Sequence, residues 1–202
     1  MTFSSNQKIV LASGNQGKIR EIQAILKGCS ILPQSQFNVE EVEETGSTFI
    51  ENAIIKARNA ALHCNMPAIA DDSGLVVDAL HGAPGVISAR YAGTDASDQD
   101  NLLKVLKNLE NIPAEKRSAR FVCVLVFMRH ANDPLPVVAQ GVWEGQIMTE
   151  PVGENGFGYD PIFLVPKYQK SSAELPPETK NVISHRGKAL KILTDSIQQL
   201  EL

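Results

Sequence analysis

The sequence predicts a mixed α/β fold in which helices flank a central sheet that contains antiparallel strands. Two observations carry this prediction. Short apolar runs alternate with stretches of helical hydrophobic spacing, and two long β-branched and aromatic runs follow each other over residues 119–129 and 136–147. The chain has 202 residues, of which 43% are apolar and 21% charged. This composition suits one large domain, or two closely fused lobes, with a substantial core.

The first elements are predicted to be a strand, a loop and a helix. Residues 8–12 (KIVLA) are an apolar run, residues 13–18 (SGNQGK) are small and polar, and apolar side chains then recur at helical spacing over residues 19–26. Gly28 is expected to end this helix. A weaker apolar run at residues 30–32 predicts another strand.

Two further helices begin with capping patterns, in which a hydroxyl residue is followed three positions later by an acid. The predicted helices, with their capping residues, are residues 49–64 with Thr48 and Glu51, and residues 97–109 with Ser97 and Asp100.

The remaining elements follow from short apolar runs and proline breaks. Residues 68–70 (AIA) are expected to form a strand that ends at Asp71 and Asp72, before a second β-like run over residues 75–80. A closing amphipathic helix is expected after the proline pair at residues 176–177. Its apolar face is predicted to contain Leu190, Leu193, Ile197 and Leu200.

Charge and cysteine content argue against several classes of protein. The 19 Lys and Arg against 23 Asp and Glu give a formal charge of −4, so a polynucleotide partner is not expected. The sequence has no basic leader and no apolar run of membrane-spanning length, which predicts a soluble protein that is neither exported nor membrane-bound. Cys29, Cys64 and Cys123 form no CxxC pair and are predicted to be buried thiols in a reducing cytoplasm.

The loop of residues 13–18 is a candidate phosphate site. It joins a strand to a helix start, where backbone N–H groups and the helix dipole favour an anion, and Lys18 adds a full positive charge. It is not the common P-loop, because only two residues separate its glycines and Ile19 follows the lysine. Taken alone, the loop also fits an ordinary tight turn with a surface lysine.

Acidic residues form a candidate metal site. Glu43 and Glu44 precede the second helix, and Asp71 and Asp72 follow an apolar run. Magnesium usually takes one or two carboxylates and completes its octahedron with water and substrate phosphate oxygens. Two adjacent negative charges after an apolar run favour a bound cation, whereas the glutamates fit a helix-dipole interaction equally well.

Two later segments are candidates for recognition of the rest of a ligand. Residues 153–160 (GENGFGYD) combine glycines with Phe157 and Tyr159, which suits a loop that stacks on a flat ring; a glycine-rich hairpin with aromatic core residues is the alternative. His185 and Arg186 are expected to open the last helix, where they could bind phosphate or a carbonyl group, although such pairs are also common on solvated surfaces.

Six segments together resemble the inosine triphosphate pyrophosphatases, also called dITP/XTP pyrophosphatases, and most closely the bacterial RdgB type. The segments, in order, are SGNQGKIREI, EETGSTFIENAIIKAR, AIADDSGL, GAPGVISARYAG, GFGYDPIF and SHRGKAL. Each is weak alone, but the ordered set covers nearly the whole chain. The resemblance implies a single pyrophosphatase domain over residues 1–202, with a long twisted central sheet, two lobes around an active-site cleft, and a homodimer.

The resemblance also implies roles for individual residues. Asp72 would be the general base, and Glu44 and Asp72 would hold Mg²⁺; whether Asp71 joins them is left open. The triphosphate would be bound by Ser13, Gly14, Asn15, Gln16, Gly17 and Lys18, with Asn52 and Lys56 expected to join this phosphate site. The other implied substrate contacts are Ser73, Phe157, Gly158, Tyr159, Asp160, Lys180, His185 and Arg186.

The implied reaction is hydrolysis of deaminated purine nucleoside triphosphates (ITP, dITP and XTP) to the monophosphate and pyrophosphate, which keeps wrong bases out of DNA and RNA. A donor-lined pocket would accept a 6-oxo purine and reject adenine. We hypothesise that backbone amides of residues 157–160, together with His185 and Arg186, supply those donors. Two alternatives stay open: a pyrophosphatase for modified pyrimidine triphosphates, and a sensor that binds a purine triphosphate without cleaving it.

Overall fold

The computed structural model describes residues 8–26 and 29–199. Two sequence-based expectations, the helix end at Gly28 and the contribution of Leu200 to the closing helix, lie outside these residues.

The predicted mixed sheet is confirmed. Its strands are β1 (Lys8–Ala12), β2 (Ser30–Pro33), β3 (Ala68–Val77), β4 (Ser118–Met128), β5 (Val137–Ile147), β6 (Phe163–Val165) and β7 (Lys170–Ser171). They lie in the order β2-β1-β3-β4-β5-β6-β7. β1 pairs in parallel with β2 and β3, whereas β6 pairs antiparallel with β5 and β7.

The main predicted helices are also confirmed, with one difference at the C-terminal end. They are α1 (Gln16–Ile25), α2 (Phe49–Cys64), α3 (Asp98–Asn108), α4 (Pro177–Ile183) and α5 (His185–Gln199). Both capping boxes are present at the starts of α2 and α3. The helix expected after the proline pair is divided in two by an extended backbone at Ser184, which separates α4 from α5. The expectation that His185 and Arg186 open the last helix is confirmed.

The fold contains two compact units, each with its own apolar core. The first comprises the described residues up to Asp72, Cys123–Gly141, and those from Arg186 onward; the second comprises Ser73–Val122 and Val142–His185. Side chains of β1, α1 and α5 pack in the first core, and side chains of α3, β4 and β5 pack in the second.

β3 differs from the expected strand. It continues without a break through the aspartate pair, so the prediction that it ends at Asp71 and Asp72 is wrong. The physical reason is the neighbouring pairing: β1 pairs with β3 only as far as Ala12 opposite Ala70, while β4 lies on the other side of β3 and supports the longer strand. The two aspartates therefore lie immediately beyond the carboxyl end of β1.

The cysteines are less buried than expected. Cys123 is buried in β4, but Cys29 and Cys64 are partly exposed, because one follows α1 and the other is the last residue of α2. The prediction of three buried thiols is thus wrong for two of them. Within residues 8–26 and 29–199, no helix has both the length and the apolar character needed to cross a membrane.

Candidate active site

The loop of residues 13–18 is organised by its own side chains. The hydroxyl of Ser13 accepts a hydrogen bond from the Asn15 N–H at 3.2 Å, and Oδ1 of Asn15 caps α1 by accepting from the Lys18 N–H at 3.0 Å. Gly17 is buried and Gln16 is exposed at the first turn. The N–H groups of a first helical turn have no intrahelical partners, so this loop keeps the character of an anion site.

The side chain of Lys18 points to Asp71 rather than to solvent. Its Nζ lies 2.6 Å from Oδ1 of Asp71, whose Oδ2 accepts from Nε of Arg186 at 2.8 Å and from Sγ of Cys123 at 3.2 Å. Arg186 also pairs with Glu21, which lies one turn from Lys18 on α1. We call these five residues the Asp71 network. Both oxygens of Asp71 are engaged in it, which argues against a metal-ligand role for this carboxylate.

The Asp71 network is fully desolvated at its centre. Burial alone would raise the pKa of Asp71, but the positive charges of Arg186 and Lys18 outweigh it and hold the pKa well below its usual range. Burial and the Asp71 carboxylate together raise the pKa of the Cys123 thiol well above its usual value. Asp71 is therefore an anion and Cys123 a neutral thiol at physiological pH.

The acidic loop before α2 is anchored by Asn52. The Gly46 N–H donates to Oδ1 of Asn52 at 2.8 Å, and Asn52 is fully buried. A Cβ on Gly46 would lie only 2.5 Å from Cβ of Glu51, so glycine allows the loop to approach the helix start. Asn52 thus supports the loop that carries Glu44, while its own contact with phosphate stays a prediction.

Lys56 joins the two carboxylates that were expected to hold a metal. Its Nζ lies 2.7 Å from Oε1 of Glu44 and 2.7 Å from Oδ1 of Asp72. Burial would lower the pKa of Lys56, but Asp72 and Glu44 raise it. Burial raises the pKa of Asp72, and the positive charges of Lys56 and Lys18 only partly offset that effect. We call Glu44, Lys56 and Asp72 the Asp72 cluster.

The Asp72 cluster suits a hard divalent cation. Oδ2 of Asp72 is buried, and no hydrogen-bond partner reaches it within the described part of the chain. Over the same residues no group of three or more His, Cys, Asp or Glu side chains is arranged to hold a metal by itself. Two carboxylates suffice for a cation that takes its other ligands from water and substrate phosphates.

In the second unit, Asp160 organises the loop that carries Phe157. Buried Asp160 accepts hydrogen bonds from the Phe157 N–H at 2.9 Å, the Ser172 hydroxyl at 2.8 Å and Nζ of Lys180 at 2.6 Å. The same ammonium lies 5.3 Å from the centre of the Phe157 ring. Gly156 has φ +82°, and a side chain there would collide with the Asp160 carboxylate. The loop is therefore fixed around one buried charge pair.

Several amides that we expected to face the base are engaged within the protein. Besides Phe157, the Gly158 N–H donates to Oδ2 of Asp98 at 2.8 Å, and the Asp160 N–H donates to the Phe157 carbonyl at 3.3 Å. The Tyr159 hydroxyl donates to the Ser88 carbonyl at 2.7 Å. The role of these amides as donors to the base therefore stays a prediction.

His185 and Arg186 lie next to each other in sequence but belong to different units. The buried ring of His185 stacks on Phe121, with centroids 4.8 Å apart and planes 15° apart, and on Trp143 at 6.4 Å. Arg186 instead binds Asp71. The two residues therefore occupy separate environments, and a joint role in base recognition stays a prediction.

Of the expected site residues, the structure brings three sets together: Lys18 with Arg186, Glu44 with Lys56 and Asp72, and Phe157 with Asp160 and Lys180. Ser73 follows Asp72 on β3 and is partly exposed. Sequence reasoning missed four residues that hold these sets in place: Glu21, Ser88, Asp98 and Ser172. Their partners lie far away in sequence, so no local pattern points to them.

Known proteins match the chain over nearly all of its length. The Ham1 family model matches residues 9–196. A dITP/XTP pyrophosphatase of Vibrio parahaemolyticus is 64% identical over 189 residues, covering 93% of this chain and 94% of the relative. One of the same name from Yersinia pseudotuberculosis is 60% identical over 194 residues, covering 95% and 98%.

Solved structures agree with these matches. A HAM1 protein from Coxiella burnetii has a TM-score of 0.88 at 53% identity and covers 96% of this chain and 99% of that one. A nucleoside-triphosphatase / dITP/XTP pyrophosphatase from Mycobacterium abscessus has a TM-score of 0.75 at 43% identity, covering 93% and 98%. The family resemblance found in the sequence is confirmed: the chain belongs to the Ham1 family.

Proposed function

We propose that this chain hydrolyses the deaminated purine nucleoside triphosphates ITP, dITP and XTP to the monophosphate and pyrophosphate, and so keeps wrong bases out of DNA and RNA. The observation that carries the proposal is the convergence of Glu44 and Asp72 on the Lys56 ammonium. The names of the bacterial relatives, which are dITP/XTP pyrophosphatases at 58–64% identity, support the same reaction.

The first unit supplies the phosphate chemistry of this proposal. The N-terminal turn of α1 and the ammonium groups of Lys18 and Lys56 hold the triphosphate, because amide donors and cations complement its charge. Lys18 is close enough to Asp72 to lower its pKa, so the two lysines act at one acidic centre. Glu44 and Asp72 hold a divalent metal ion, which we propose to be Mg²⁺. When bound, Mg²⁺ neutralises negative charge on the phosphate oxygens.

Asp72 is the proposed general base. A carboxylate with a raised pKa is a better proton acceptor near neutral pH than an ordinary one. Asp72 takes one proton from a water molecule as the water oxygen bonds to the α-phosphorus. The bond from that phosphorus to the oxygen bridging to the β-phosphorus breaks, and pyrophosphate leaves with this oxygen. The second proton of the water stays on the monophosphate until it ionises.

Three side chains are proposed to recognise the base. Phe157 offers a flat ring for stacking, and Lys180 and His185 offer donors for the 6-oxo group of hypoxanthine or xanthine. Adenine presents an amino donor at this position and is rejected. Guanine shares the 6-oxo group, so its exclusion acts at its 2-amino group instead. Ser73 and Tyr159 remain proposed substrate contacts.

The test is pyrophosphate release from ITP, XTP, ATP and GTP at equal concentrations, with Mg²⁺ and with EDTA. We expect metal-dependent release confined largely to ITP and XTP. Comparable turnover of ATP and GTP would leave a phosphohydrolase without base selection. Preference for UTP- or TTP-type substrates would favour the pyrimidine alternative, and bound ITP that survives long incubation with Mg²⁺ would favour the sensor.

His185→Ala tests the base-recognition part of the proposal. We expect this variant to lose much of the preference for ITP over ATP, because it lacks the buried side chain that is proposed to donate a hydrogen bond to the base. Retention of the full preference would remove His185 from base recognition. Arg186→Ala is less informative, because this arginine also neutralises Asp71.

Two wider features also belong to the proposal. We propose that the chain acts as a homodimer, as the resemblance implies, and sedimentation equilibrium tests this by the mass of the particle. We also propose that it acts in the cytoplasm, where nucleoside triphosphates are made.

A further inference from the structure

We propose that Asp98 is a positioning residue for the loop of residues 153–160, which we call the base-binding loop. Its carboxylate holds Phe157 in the orientation that stacks on the purine. The inference rests on the proposed function and adds a residue outside all the motifs of the family resemblance. Asp98 lies at the start of α3, sixty residues before its partner in the loop.

The two peptide groups that flank Phe157 are both bound by carboxylates. The peptide before it donates the Phe157 N–H to Oδ2 of Asp160 at 2.9 Å. The peptide after it donates the Gly158 N–H to Oδ2 of Asp98 at 2.8 Å. Because these two planes set the backbone orientation of Phe157, Asp98 and Asp160 together direct its ring.

Asp98 is needed because the second peptide contains a glycine. Gly158 has φ +61°, and a side chain there would meet no atom within 4 Å, so packing does not restrict this residue. Glycine populates positive and negative φ about equally, and the peptide can rotate at little cost. An acceptor at a fixed position selects one of these conformations.

The position of Asp98 is fixed independently of the loop. The capping box of α3 holds its first turn: the Asp100 carboxylate accepts from the Ser97 N–H at 2.9 Å and from the Ser97 hydroxyl at 2.6 Å. A negative charge at a helix N-terminus is also favourable. Asp98 therefore presents its carboxylate from a rigid helix start.

A second hydrogen bond connects the next loop residue to the neighbourhood of α3. The Tyr159 hydroxyl donates to the carbonyl of Ser88, in the 3₁₀ segment Gly85–Arg90. Asn101 of α3 joins that segment to the helix, since its Nδ2 donates to the Ala89 carbonyl at 3.1 Å. Gly158 therefore contacts α3 directly, and Tyr159 is connected to α3 through the 3₁₀ segment. Removal of Asp98 would release the part of the loop next to Phe157.

The test measures binding of two products by calorimetry in the presence of Mg²⁺: IMP, which carries the base, and pyrophosphate, which does not. In Asp98→Ala we expect the affinity for IMP to fall about five- to tenfold, as expected for one exposed hydrogen bond to a charged group. Pyrophosphate affinity should change by less than about twofold. Asp98→Asn should recover part of the loss, because its amide oxygen still accepts a hydrogen bond.

One matched variant serves as the control. Asp95→Asn removes a neighbouring exposed charge and should retain IMP affinity. Equal loss of IMP and pyrophosphate binding in Asp98→Ala, unchanged IMP binding in that variant, or an equal loss of IMP binding in Asp95→Asn would each overturn the inference. Failure of the proposed function is distinguishable, because the wild type itself would then not cleave ITP.

Discussion

Asp71 and Asp72 are consecutive residues of β3 with the same side chain and opposite surroundings. Both oxygens of Asp71 are engaged by Lys18, Arg186 and Cys123, and its pKa is held well below the usual range. Asp72 shares the Lys56 ammonium with Glu44, and burial raises its pKa although the charges of Lys56 and Lys18 partly offset that effect. Successive residues of a strand point to opposite faces, so adjacent positions can meet different environments.

The different surroundings of the two aspartates suit them to different roles, Asp71 to stabilising the structure and Asp72 to chemistry. A carboxylate neutralised by two cations is stabilised as an anion and has no reason to accept a proton or bind a metal. Asp72 is desolvated, and within the described part of the chain its Oδ2 has no hydrogen-bond partner, so this carboxylate is suited both to accept a proton and to bind a metal. Two titratable groups whose environments push their pKa values apart commonly mark distinct roles in a site.

The largest effect that would test this contrast is the loss of stability in Asp71→Asn. The substitution keeps the shape but leaves Lys18 and buried Arg186 without their shared anion, which costs about 3–5 kcal/mol when one partner of a buried pair is removed. Urea unfolding measures the change in free energy. A loss under about 1 kcal/mol would show that Asp71 contributes no more to the free energy of unfolding than an exposed acidic residue in a surface ion pair does.

The pH dependence of the same variant sharpens the contrast. Because the folded-state pKa of Asp71 is lowered, its contribution to stability is fully present above its ordinary pKa of 3.8 and is lost as pH falls through the folded value. The stability difference between wild type and Asp71→Asn should be constant near neutral pH and shrink only below that ordinary pKa. A difference that grows on acidification would contradict this assignment.

Lys56→Met tests the other side of the comparison. Without the ammonium, Glu44 and Asp72 repel each other and the pKa of Asp72 rises further, while the triphosphate loses one cation. We expect KM for ITP to rise about tenfold, the effect of losing one charged contact. Lys104→Met, at an exposed lysine of α3, is the control and should leave KM unchanged. An unaltered KM in Lys56→Met would remove this lysine from the phosphate site.

Cys123→Ala is expected to have the smallest effect. A thiol is a weak hydrogen-bond donor, and Lys18 and Arg186 still neutralise Asp71, so the free energy of unfolding should fall by about 1 kcal/mol or less. Thermal unfolding at neutral pH measures it. A loss as large as that of Asp71→Asn would mean that the thiol, not the cations, stabilises the buried carboxylate.

Much of this fold follows from local sequence patterns. The capping boxes of α2 and α3 and the apolar runs of β4 and β5 set their elements because those signals act over a few residues. The strand through Asp71 and Asp72 was misjudged, because its continuity depends on β4, which is about fifty residues away in sequence.

The candidate site was only partly predictable for the same reason. Lys18, Glu44 and Asp72 stand in motifs that indicate phosphate and metal chemistry. The sequence of two adjacent aspartates does not show which of them binds Arg186 of α5 and which binds Lys56 of α2. Those partners are chosen by the packing of distant helices, as is the contact between Asp98 and the glycine-rich loop of residues 153–160.

The most direct test of the contrast is turnover of ITP by Asp72→Asn, measured beside its urea unfolding. Loss of the proposed general base and metal carboxylate should lower kcat by about 10²–10⁴-fold. The free energy of unfolding should stay within about 1 kcal/mol of wild type, since folding disfavours the ionised form of a carboxyl whose pKa is raised. A variant that keeps its turnover, or that loses it only because it unfolds, would contradict the assignment of the chemistry to Asp72.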